Sequence, residues 1–96
     1  MKIEFTKNDG VMNVTLEGRL DTTTAPQLDD MLTKNLMSVK TLTIDCKNLS
    51  YVSSAGLRVL LTAHKKMKGA MKLTNVGELV MEVFEITGFV DILVIE

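Results

Sequence analysis

Two adjacent hydroxyls, Ser53 and Ser54, stand in the stretch Leu49-Ser50-Tyr51-Val52-Ser53-Ser54-Ala55-Gly56-Leu57, where an apolar run gives way to residues at helical spacing. A serine at such a junction ordinarily caps the helix, and the free backbone N–H groups and macrodipole there favour an anion. A phosphate ester would be well accommodated. One hydroxyl suffices for a cap, and local sequence leaves open which serine caps and which is free for chemistry. Downstream, Leu57, Leu60, Leu61, His64 and Met67 share one helical stripe while Arg58, Thr62, Lys65 and Lys66 take another.

Other chemistries find little support. Ser54 and the only histidine, His64, are ten residues apart, which along a helix is roughly 15 Å, against the approximately 3 Å that base activation needs. An intrachain dyad is therefore excluded if the helix forms. One His and one Cys leave no close-spaced metal-ligand pair, and Ala55-Gly56 matches neither a phosphate-binding loop nor a dinucleotide fingerprint. Cys46 lies in an alternating apolar row and reads as a small buried hydrophobe, Met67, Met71 and Met81 read as core filling, and Lys65, Lys66 and Lys68 read as a solvated helix end. Asp21 reads either as a loop or capping residue or as part of a recognition face.

The elements that must position these serines fit one small fold. With 96 residues, 46% hydrophobic and 24% charged, the chain supports one compact core. A net charge of −1, with one Tyr, three Phe and no Trp, argues against nucleic acid as a partner. No apolar run approaches the roughly 20 residues that span a bilayer, and the lone cysteine points to a reducing compartment, so a cytoplasmic location without membrane insertion is expected.

In chain order, Lys2 to Thr6 and Val11 to Gly18 alternate around the turn residues Asn8-Asp9-Gly10 and predict a hairpin. The polar loop Gly18 to Thr23 leads to Thr24-Ala25-Pro26-Gln27, a capping-box spacing, with Asp29 and Asp30 expected to complement the dipole and the helix to run to about Leu36. Thr41 to Cys46 predicts a central strand. The serine-led helix should end near Lys68-Gly69. Met71 to Thr74 predicts a short strand, Glu78 to Thr87 a helix stopped by Gly88, and Asp91 to Ile95 a last strand. The order ββαβαβαβ implies an α/β fold: a mostly parallel sheet, an antiparallel first strand and amphipathic helices packed on it. The loop Asp21 to Thr23 and the serines then emerge at one sheet edge, at the carboxyl ends of parallel strands.

These residues resemble a known family. Over essentially its whole length, residues 1–96 taken as one domain, the chain is similar to STAS domains, specifically the small free-standing anti-sigma factor antagonists of bacteria. Gly18-Arg19-Leu20-Asp21 looks like the family's G-x-L-D loop, Leu49 to Leu57 like its L-S-F-M-D-S-[ST]-G-L segment, and Val83 to Phe89 like its late helix and glycine stop. The family's Asp falls on Ser53, its phosphorylated serine on Ser54, the next Ser or Thr on Ala55 and its Gly on Gly56. The resemblance implies a protein that is not an enzyme and carries no cofactor. Its unmodified form would bind an anti-sigma factor with a histidine-kinase-like ATPase fold and so release a sigma factor. That partner would phosphorylate Ser54, with Ser53 the alternative, and a metal-dependent phosphatase would reverse it. The expected contact residues are Asp21, Thr22, Thr23, Ser53, Ser54, Gly56, Leu57 and Arg58, with Leu57 and Arg58 exposed behind the serine. Many relatives continue into a terminal helix, so an apolar strip is expected to be exposed or covered by a partner. The alternative function is a non-phosphorylated STAS scaffold or an accessory subunit of a transporter or sensory complex.

Overall fold

The computed structural model describes all residues from Met1 to Glu96. Its elements are β1 (Lys2–Asn8), β2 (Val11–Leu20), α1 (Ala25–Asn35), β3 (Thr41–Val52), α2 (Ser54–Lys66), β4 (Met71–Thr74), α3 (Glu78–Thr87), a 3₁₀ turn (Phe89–Asp91) and β5 (Val94–Ile95). The five strands lie in the order β1-β2-β3-β4-β5. β1 runs antiparallel to β2, and every other pairing is parallel. Asp9 and Gly10 both adopt positive φ, 50° and 81°, in the tight turn whose twist suits a two-residue hairpin.

The expected order is present, and 21 buried residues from the sheet and all three helices form one apolar cluster. Along β2, Met12, Val14, Leu16 and Leu20 are buried, while Val11, Asn13, Thr15, Glu17 and Arg19 between them are exposed. The helices thus cover one face of the sheet and leave the other to solvent, the arrangement that period-two alternation requires. On α2 the core side is made by Leu57, Leu60, Ala63 and Met67, with Leu61 and His64 only half-buried.

Three local expectations are corrected. β3 does not stop at Cys46 but continues to Val52, because Leu49 and Val52 return to the core at a spacing of three rather than two. The capping box at Thr24 does not form: Thr24 Oγ1 turns back into the preceding loop, Gln27 Nε2 donates to the Met1 carbonyl at 3.3 Å, and no acidic residue lies in the first turn of α1. Asp30 instead pairs with Lys34 at 3.0 Å along the helix. The last strand is only Val94–Ile95, since Phe89–Asp91 is taken up by the 3₁₀ turn.

Candidate functional site

Beyond Asp45 the pairing of β2 with β3 loses its regular step. Thr15 faces Asp45, but Glu17 faces Asn48, Gly18 faces Leu49 and Arg19 faces Tyr51. Met12 to Leu20 therefore spans the same stretch as Leu42 to Val52, and β3 uses two more residues than its neighbour. Such bulges bend a strand and re-aim its side chains. Ser50 Oγ donates to the Gly18 carbonyl at 3.0 Å across the irregular stretch. Leu49 and Val52 stay in the core, whereas Tyr51 comes out opposite Arg19 on the helix-free face.

The two serines at the end of β3 have different environments. Ser53 is extended (φ −99°, ψ 175°), and its N–H donates to the Leu20 carbonyl at 2.9 Å. Its Oγ accepts from Gly56 N–H at 3.3 Å, and its carbonyl accepts from Leu57 N–H at 2.8 Å. Ser53 is therefore the N-cap, half-buried and committed. Ser54 is the first residue of α2, is exposed, and its hydroxyl takes no part in the cap. No acidic residue occupies the first turn of α2, so the positive end of the helix is not neutralised from within.

Gly56 sets how closely this helix end approaches the sheet. A Cβ there would lie 2.7 Å from Leu20 Cγ and 2.9 Å from both the Leu20 carbonyl oxygen and Val52 Cγ2. The absence of a side chain lets α2 start directly over the paired ends of β2 and β3. Gly56 and Leu57 are both buried, Leu57 with 6% exposure, and this corrects their placement on the contact surface. They position the edge, and only Arg58 of that trio reaches solvent.

Across the edge, Asp21 Oδ1 accepts from Thr23 N–H at 3.0 Å and Thr24 N–H at 3.1 Å. The Thr24 hydroxyl accepts from Asp21 N–H at 2.8 Å and donates to the Arg19 carbonyl at 2.6 Å. Its 3.2 Å approach to Asp21 Oδ1 is the weaker use of its single proton. The Thr24 N–H above all, then the Thr23 N–H, the Thr24 hydroxyl and the Arg19 charge, hold the Asp21 carboxyl below the usual aspartate range, with partial burial opposing them. Asp21 thus ties the loop, while Thr22 and Thr23 are exposed on it. Arg19, absent from the expected contact residues, stacks on Tyr51 with its guanidinium carbon 4.2 Å from the ring centroid, and its Nε lies 3.7 Å from Asp21 Oδ2. The aromatic in the serine segment was the sequence signal for this pair, but only the bulge register brings Arg19 to it.

The bond from Ser53 N–H to the Leu20 carbonyl sets the start of the Asp21 loop beside the serines, and Thr22, Thr23, Ser54 and Arg58 are exposed. Two shallow hollows exist, of about 420 Å³ beside Val11, Thr41 and Val94 and about 210 Å³ between Leu49 and Leu79, and neither includes Ser53 or Ser54. His64 sits near the far end of the helix that Ser54 opens. No three His, Cys, Asp or Glu residues are grouped to hold a metal ion. Burial, then the neighbouring Asp45 charge, pushes the Cys46 thiol up to about 12, which keeps it protonated and unreactive. What the edge presents chemically is one uncommitted hydroxyl, Ser54, at the positive end of a helix.

Comparison with known proteins places the geometry in context. Residues 2–96 match the STAS domain family. The anti-sigma-B factor antagonist of Bacillus subtilis is 32% identical over 97% of this chain and 88% of its own length. BtrV of Bordetella bronchiseptica, named as a candidate anti-sigma factor antagonist, is 35% identical over 96% of this chain and 83% of its own length. Among solved structures, an anti-sigma factor antagonist from Mycobacterium paratuberculosis superposes with a TM-score of 0.86 at 22% identity, covering 98% of this chain and 83% of that one. SpoIIAA scores 0.75 in its unphosphorylated form, at 16% identity over 99% of this chain and 87% of its own. Its phosphorylated form scores the same 0.75, at 17% identity over 99% of this chain and 91% of its own.

Proposed function

This chain belongs to the STAS domain family, and on that footing we propose that it is an anti-sigma factor antagonist whose binding is switched by phosphorylation of Ser54. Residues 1–96 act as one domain in the bacterial cytoplasm, as a binding protein rather than a catalyst. The unmodified edge docks on an anti-sigma factor and frees a sigma factor for transcription. The observation that carries the reading is the division of labour between neighbours: Ser53 spends its oxygen on the α2 cap, and Ser54 presents an exposed hydroxyl at the same helix end.

The chemistry follows from that placement. The partner, of histidine-kinase-like ATPase fold, brings ATP, because the chain supplies neither base nor nucleotide loop. Ser54 Oγ attacks the γ-phosphorus, an O–P bond forms as the bond to the ADP oxygen breaks, and the hydroxyl proton leaves to a base of the partner or to water. The product carries about −1.5 to −2 charges on a helix N-terminus that tolerates them. The fold persists while the docking edge changes sign. A separate metal-dependent phosphatase hydrolyses the ester and restores binding. Thr22, Thr23 and Arg58 complete the contact surface.

Incubation with the cognate anti-sigma factor and ATP, followed by peptide mass mapping, tests the assignment. Phosphate is expected on Ser54, abolished in Ser54→Ala and retained in Ser53→Ala. Binding by Ser54→Glu should be weaker by roughly tenfold or more through like-charge repulsion and lost contact. Phosphate on neither serine after that incubation would instead identify a constitutive scaffold.

A further inference from the structure

The edge carries a second feature that serine chemistry does not use. Arg19 is exposed on the helix-free face, its guanidinium carbon over the Tyr51 ring at 4.2 Å from the centroid and its Nε 3.7 Å from Asp21 Oδ2. Its backbone carbonyl is tied by Thr24 Oγ1 at 2.6 Å, and the facing strand is pinned by the Ser50 to Gly18 bond. The pair exists only because β3 bulges at Ser50, since regular pairing after Gly18 and Leu49 would place Ser50 opposite Arg19. The side chain is therefore held before any ligand arrives, with its two terminal amino groups still free.

We propose that Arg19 and Tyr51 form a second docking point, which takes a carboxylate of the same protein partner that engages Ser54. A guanidinium offers a planar fork that a carboxylate matches with two parallel hydrogen bonds, and a stacked Arg loses less freedom on forming them. Asp21 already offsets part of the Arg19 charge, which suits a singly charged carboxylate better than a dianion. Arg and Tyr are also the residue types that concentrate binding energy at protein interfaces. Leu20 and Val52, the neighbours of the pair, are buried beneath the start of α2. Ser54 therefore lies over the helix-covered face, and Arg19 and Tyr51 over the opposite one. A partner touching both straddles the sheet edge. The inference rests on the antagonist reading and adds where the partner must reach and what it must carry.

Titration calorimetry of the full chain against the cognate anti-sigma factor, at low and high salt, decides it. Arg19→Ala and Tyr51→Ala should each weaken binding about tenfold, the usual size for an interface anchor. The double variant should be little weaker than the worse single, because the two act as one unit. Arg19→Lys should fail to rescue, since a point charge neither stacks nor forks, and loss of Arg19 should flatten the salt dependence. Far-UV circular dichroism and thermal melts should match the wild type, both residues being outside the core. Unchanged affinity in Arg19→Ala, with Ser54→Glu still impaired, overturns the second docking point and leaves the antagonist reading intact. Wild-type protein that fails to bind the anti-sigma factor overturns both.

Discussion

β3 is two strands in one. From Thr41 to Cys46 it alternates strictly, and through Asp45 it pairs in step with β2, with β4 on its other side from Leu42 to Asp45. From Lys47 to Val52 it has lost β4, carries two extra residues against β2, and leads straight into the capping serine. The first half is held by two neighbours and a buried face. The second exchanges regular pairing for the freedom to aim Tyr51, Ser53 and Ser54. On the proposed function, stability and binding are separated along a single strand, and substitutions in the two halves should fail differently.

The largest expected effect lies in the regular half. Ile44 is fully buried between two parallel neighbours, so Ile44→Ala should cost about 2–5 kcal/mol. In a chain of this size each kcal/mol lowers Tm by about 4–8 °C, so calorimetry should read a fall of about eight degrees or more. Tyr51→Ala in the irregular half should stay within about 0.5 kcal/mol. Similar losses from both would erase the distinction. Next in size is Gly56→Ala, where the two halves meet the helix. Filling the gap over the Leu20 carbonyl forces a backbone shift worth about 1–3 kcal/mol, of which a better helix former returns about 1. Urea unfolding should show a net loss, and a gain would mean that the helix end is not pressed on the sheet.

The same division explains what could be read from the sequence. Where the pleat is regular, Leu42, Ile44 and Cys46 announce their strand, and Glu78–Thr87 with Gly88 announces its helix, because one period governs pattern and burial alike. Where bulges intervene, Leu49 and Val52 fall out of period and the alternating pattern ends before the strand does. Thr24 and Gln27 have the spacing of a capping box, yet Thr24 is worth more to the Asp21 loop, a competition that spacing does not reveal. Ser54 was legible as a helix-end hydroxyl. That Leu57 turns inward beneath it and Arg19 reaches the edge depends on the register of two strands far apart in sequence.

The adjacent serines sharpen the comparison to single hydroxyls. Ser53→Ala removes the cap bond to Gly56 and should cost about 0.5–2 kcal/mol. Ser54→Ala removes no such bond and should leave the urea midpoint nearly unchanged. If the order reversed, Ser54 would be the structural residue and Ser53 the one free to be modified.

The smallest effect concerns Asp21, whose carboxylate ties the loop across from the serines and is stabilised in its charged form by the Thr24 and Thr23 N–H groups. A folded value held below the usual aspartate value of 3.8 means that the stabilisation is present above that value and is lost as pH falls through the lower, folded one. Asp21→Asn keeps an oxygen that can accept both N–H bonds but removes the charge. Its melting temperature should therefore lie slightly below the wild type's at neutral pH, and the gap should close below about pH 4. A gap independent of pH would mean that the geometry of the turn matters and its charge does not. A gap that widened in acid would place the folded carboxyl above its unfolded value, and the bonds from Thr23 and Thr24 could not then be what orders this side of the edge.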